Sequence, residues 1–108
     1  MIVLDASIVI KWFQEEPDSE KARNSEKKHI RGEDTIAIPD LLFYEFTNVL
    51  RYKKNVTQEN VFTALEILAD MELQVFTFAP PELKVVYSFA RSYDVSVYDA
   101  LYVVLAER

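Results

Sequence analysis

Short apolar runs separated by longer amphipathic stretches organise this chain. Ile2-Val3-Leu4 is apolar without alternation and ends at Asp5, the pattern of a strand buried on both faces, as in a parallel sheet. Ile8-Val9-Ile10 and Trp12-Phe13 follow and predict a short helix that stops near Glu15-Glu16-Pro17. Asp18 is placed to cap a second helix running to about His29. Ala22 and Ile30 are its main apolar residues, so it is the most weakly specified element. Gly32-Glu33-Asp34 predicts a turn, and Ile36-Ala37-Ile38 a second strand closed by Pro39. Asp40 can cap a helix from Leu41 to about Tyr52, where Leu42, Phe46, Val49 and Leu50 recur at helical spacing. Thr57 caps a fourth helix to about Asp70, with Phe62, Leu65 and Leu68-Ala69 predicted to face inward. Val75-Phe76-Thr77-Phe78 reads as a third strand. Pro80-Pro81 opens a helix expected to bury Leu83, Val86, Tyr87 and Ala90. Ser96 begins a last helix from Val97 that is apolar nearly all round, which predicts a place in the middle of the domain.

Strands alternating with helices imply a parallel sheet flanked by helices, an α/β domain of three layers. The 108 residues fit one domain, and half of them are apolar, enough for a single core. An α/β domain of this pattern usually closes with one more strand. None follows the last helix, so the expectation is a single domain over residues 1–108, truncated at the C-terminus.

Composition narrows the chemistry. The chain has no cysteine, which excludes disulfides, cysteine-bound zinc and thiol nucleophiles. Its one glycine, Gly32, is too few for a phosphate-cradling loop, and its one histidine, His29, argues against serine–histidine–carboxylate catalysis. A formal net charge of −6 argues against non-specific nucleic-acid binding through a broad basic face. The longest apolar stretch, Ala100 to Ala106, is far short of the roughly 18 residues of a membrane span. With no secretory signal pattern at the N-terminus, the expectation is a soluble, cytoplasmic protein without a membrane partner. Its chemistry must come largely from carboxylates.

Three carboxylates stand out. Asp5 ends the first strand, and ligands of open parallel sheets bind beyond the carboxyl ends of the strands; it could equally be the N-cap of the segment that follows. Glu45 interrupts an apolar helix face, where a buried carboxylate must be paired or bound to a cation; it could also lie at the edge and reach water. Asp99 sits among Tyr98, Leu101 and Tyr102, and forms a capping box with Ser96 on the local pattern.

The layout resembles the PIN domain family, and within it the VapC-type toxin ribonucleases. Ile2-Val3-Leu4-Asp5-Ala6-Ser7-Ile8-Val9-Ile10-Lys11-Trp12-Phe13 is similar to the first motif of that family. Pro39-Asp40-Leu41-Leu42-Phe43-Tyr44-Glu45-Phe46-Thr47-Asn48-Val49-Leu50 is similar to the second, and Ser96-Val97-Tyr98-Asp99-Ala100-Leu101-Tyr102-Val103-Val104-Leu105-Ala106 to the third. The resemblance implies a Mg²⁺- or Mn²⁺-dependent endoribonuclease in which Asp5, Glu45 and Asp99 hold the metal, with Ser7 and Asn48 lining the same site. It further implies an RNA substrate, a homodimer and a small antitoxin partner. The family normally carries a fourth acid on a strand beyond the last helix, which this sequence lacks.

Three carboxylates brought together repel one another: two unit charges about 4 Å apart cost on the order of 4 kcal/mol at an effective dielectric near 20. A cation that prefers oxygen ligands relieves that repulsion. Lys11, the cluster Lys27-Lys28-Arg31, and Arg51, Lys53 and Lys54 are candidate phosphate contacts, although solvated lysines explain them as well. A phosphatase of the haloacid dehalogenase type also places an aspartate after its first strand, but needs a second acid where this chain has Ser7. The other alternative is a PIN-like fragment that has lost its chemistry and only binds a partner.

Overall fold

The computed structural model describes residues 1–13 and 19–108. The elements run β1 (Ile2–Val3), α1 (Ala6–Ile10), α2 (Ser19–Ile30), β2 (Ile36–Pro39), α3 (Leu41–Arg51), α4 (Gln58–Asp70), β3 (Gln74–Phe76), α5 (Pro80–Tyr93) and α6 (Val97–Ala106). The three strands form one parallel sheet in the order β1-β2-β3, with Ile2 opposite Ile36 and Ile38 opposite Val75. β2 is the middle strand and all four of its residues are buried, which is why it reads as a continuous apolar run. Pro39 has no N–H to give the ladder. The next residue takes over: the Asp40 N–H donates to the Phe76 carbonyl at 3.0 Å.

Two clusters of side chains hold the layers together. In one, Val9, Ile10 and Trp12 meet Ile36 and Ile38 of β2, Leu42, Phe46 and Leu50 of α3, and Ala64 and Leu68 of α4. Phe13 and Phe46 sit edge to face, with ring centroids 5.5 Å apart. In the other, Val86 and Ala90 of α5 press on Ala100, Leu101 and Val104 of α6. α6 also lies against β1 and β2, and α3 against α1. Full burial of each large aliphatic or aromatic side chain contributes about 1.5–3 kcal/mol.

Several side chains depart from the pattern-based expectation. On α4 the inward stripe is Val61, Ala64, Leu65 and Leu68, so Phe62 falls one position off it and is 55% exposed. On α5 the stripe is Val86, Phe89 and Ala90, which leaves Leu83 and Tyr87 outside. α6 is not covered all round: its neighbours lie to one side, and Val97, Tyr98 and Val103 remain exposed. Val49, expected in the core face of α3, is also exposed. Apolar composition names a helix as buried, but the partners available decide which face is.

The caps divide in the same way. Thr57 and Ser96 are extended and their hydroxyls accept from Asn60 N and Asp99 N at 3.1 and 3.0 Å. Asp40 already has helical backbone angles, φ −60° and ψ −23°, and its side chain makes no cap bond. A capping side chain works from the extended region, so Asp40 is in the right place with the wrong backbone. The expectation that Asp18 caps α2 lies outside the described residues. A polar tie holds the C-terminal end of α2: His29 Nδ1 accepts from Ile36 N at 3.0 Å, so its Nε2 carries the proton, which it donates to the Met71 carbonyl at 2.7 Å.

Candidate functional site

Asp5 leaves β1 with extended angles and starts α1. Its Oδ1 accepts from the Ile8 N–H at 3.2 Å and from the Ser7 hydroxyl at 2.5 Å. Asp5 is therefore the N-cap that local reasoning allowed, and the same exposed carboxylate also lines a cleft. The two readings hold together because a capped turn fixes where the carboxylate points.

Glu45 is brought to that cleft by the phase of α3. Leu42, Phe46 and Leu50 occupy the buried stripe, which leaves Glu45 and Val49, four apart, on the neighbouring stripe that faces the opening, with Lys53 lining it from just beyond the helix. Glu45 is half-buried and does not rely on water alone: the Tyr102 hydroxyl donates to its Oε1. Asp99 arrives from the first turn of α6, where Ser96 supplies its half of the predicted capping box, and Tyr102 and Val103 follow one turn later on the same side.

These residues line one open cleft of about 620 Å³, together with Ser7, Ile10, Lys11 and Lys53. Asn48, expected beside them, is exposed and stands outside the lining. The Tyr102 hydroxyl is pushed well above the ordinary tyrosine range, first by burial, then by its bond to Glu45 and the charge of that carboxylate, then by the charges of Asp5 and Asp99. One hydroxyl thus feels all three acids. Tyr102 was not singled out from the sequence as a site residue. Two signals could have found it: it lies three residues after Asp99, and a tyrosine within an aliphatic helix needs a partner for its hydroxyl.

The PIN domain family model matches residues 2–108. The chain belongs to the PIN domain family. No curated protein matches it. PIN domains have a nuclease fold and are generally nucleases that use divalent metal ions. The three parallel strands and flanking helices agree with that fold.

The donors of this PIN domain fit such an ion by type, because Asp5, Glu45, Asp99 and Ser7 offer only oxygen. The arrangement is looser than three acids gathered on one ion. Among the described residues, no three histidine, cysteine, aspartate or glutamate side chains stand close enough to hold one. Magnesium is usually held by one or two carboxylates and keeps several waters, so an open arrangement suits it. The spacing also limits the repulsion that a tight triad would suffer. Among the described residues, no helix is long and apolar enough to cross a membrane.

Proposed function

We propose that this PIN domain is a Mg²⁺- or Mn²⁺-dependent endoribonuclease that acts in the cytoplasm as the toxin of a toxin–antitoxin pair of the VapC type. The observation that carries the reading is the convergence of Asp5, Glu45 and Asp99, from three different elements, on one cleft. Asp5 and Asp99 would hold the ion, with Glu45 as a further ligand or as the group that orients the attacking water. When bound, the ion would lower the pKa of a water and polarise the scissile phosphate. Ser7 keeps Asp5 oriented through its hydroxyl. Lys11 and Lys53 supply positive charge inside the cleft, which a chain of net charge −6 lacks overall, and so favour the RNA backbone at this place. Asn48 takes no part in this reading. Exposed aromatics, Tyr44, Tyr87, Tyr93 and Tyr98 among them, support a second copy and an antitoxin as partners.

One observation favours a second reading, a PIN domain that only binds a partner: no three described acids close around a single ion. Thermal unfolding separates the two. A ligand that binds only the folded state raises the midpoint. The ribonuclease reading predicts a rise with Mg²⁺ or Mn²⁺ over EDTA that vanishes in an Asp5→Asn, Asp99→Asn double variant. No rise in the parent favours the partner-binding domain.

A further inference from the structure

We infer that Tyr102 is a positioning residue that sets the coordination of Glu45, leaving that carboxylate one oxygen with which to meet the cation; the inference rests on the metal-dependent reading of the cleft. The side chains that meet here are far apart in the sequence. Glu45 belongs to α3 and Tyr102 to α6, 57 residues apart, and the hydroxyl of one donates to Oε1 of the other. α3 rests on α1, α4 and β2, and α6 on α5, β1 and β2, so the bond joins two helices that both pack against the middle strand. Tyr102 is half-buried, and its ring belongs to the edge of the larger core cluster. The hydroxyl therefore sits on a ring that the core holds still.

A free glutamate has three rotatable bonds and two equivalent oxygens. It can offer a cation both oxygens at once or swing away to water. With Oε1 engaged by Tyr102, a single oxygen, Oε2, is presented in a fixed direction. Small cations that demand near-octahedral geometry accept such single-oxygen carboxylates and fill the rest of the shell with water. A hydrogen-bonding group behind a ligand typically changes metal affinity about 10- to 100-fold when removed.

The test is Mn²⁺ binding by isothermal titration calorimetry to the full chain and to Tyr102→Phe, Glu45→Gln, the double variant of these two, and Asp5→Asn. Phenylalanine keeps the ring in place and removes only the donor, and the melting midpoint in EDTA checks that each variant is folded. Tyr102→Phe is expected to weaken Mn²⁺ binding about tenfold, and to add nothing in the Glu45→Gln background, because its effect passes through Glu45. Unchanged or tighter binding by Tyr102→Phe, while Asp5→Asn loses binding, overturns the positioning role and leaves the metal site standing. Equal weakening with and without Glu45 overturns it too, since the effect then has another route. Absence of Mn²⁺ binding by the parent removes the metal reading and this inference with it.

Discussion

Asp5 has two jobs in the structure, as N-cap of α1 and as a wall of the cleft, and two substitutions separate them. Asp5→Ala removes the acceptor for Ile8 N and Ser7 Oγ. Loss of an N-cap costs about 1 kcal/mol, in a range of roughly 0.5–2. For a domain of this size that is about 4 °C in the melting midpoint. Asp5→Asn keeps a side-chain oxygen at the same place, and asparagine caps as well as aspartate. It also removes one of three mutually repelling charges. In EDTA it should therefore match the parent within a few tenths of a kcal/mol. Metal reverses the comparison. At an ion concentration about a hundred times Kd, the parent should gain about 2.7 kcal/mol, and both variants should lose most of that gain. Urea unfolding, followed by far-UV circular dichroism with EDTA and with Mn²⁺, reads all the values. If Asp5→Asn is as damaging as Asp5→Ala without metal, the cap geometry is not what stabilises this turn. If Asp5→Asn keeps the full metal gain, Asp5 is not a ligand.

Other consequences concern the frame that carries the site. Phe46 is fully buried and meets Phe13 edge to face, so Phe46→Ala should cost about 3–5 kcal/mol in urea unfolding; a loss under about 1 kcal/mol would mean that α3 is not anchored as described. His29→Ala leaves the Ile36 N–H and the Met71 carbonyl without their side-chain partner. It should cost about 1–3 kcal/mol and speed hydrogen exchange at the Ile36 amide, whereas unchanged exchange would contradict the tie. Glu82 is held below the usual carboxylate range, first by the Arg108 guanidinium and then by the Ala79 N–H. A lowered folded pKa means that the unfolded chain takes up its proton first. The contribution of Glu82 is then present above the ordinary glutamate pKa of about 4.3 and fades as pH falls through the lower folded value. Glu82→Gln should accordingly destabilise at neutral pH and converge on the parent in acid; a difference independent of pH would refute this account.

β1 and β2 were legible as short unbroken apolar runs, and β2 is buried on both faces as its sequence demands, whereas β3 begins at Gln74 and is largely exposed. Thr57 and Ser96 were legible as caps because residue type and extended backbone coincide there. Asp40 was misjudged because the sequence names the residue and not the backbone angle. Phe62, Leu83 and Tyr87 were misjudged for a related reason: a stripe one position wide decides burial, and that stripe is set by the neighbouring layer. His29 could not be read as a tie, since its donor partner, the Ile36 N–H, and its acceptor partner, the Met71 carbonyl, are 7 and 42 residues away. At the site, the three acids were visible as interruptions in apolar surroundings, and the phase of α3 does bring Glu45 to the cleft. Asn48 shows the limit of the same reasoning, because three residues along the helix turned it out of the lining. Tyr102 escaped because an aromatic in an apolar helix looks like core until the carboxylate opposite it is known.

The most direct measurement of the central claim is cleavage of a 5′-labelled single-stranded RNA, under single-turnover conditions, by the parent and by an Asp99→Asn variant purified side by side. The account predicts internal cleavage by the parent that requires added Mg²⁺ or Mn²⁺, stops with EDTA, and falls by at least about a hundredfold in the variant, the scale on which loss of one group that stabilises a reacting centre acts. Cleavage that persists in EDTA, or is equal in the two proteins, would contradict a metal-dependent nuclease site in this cleft.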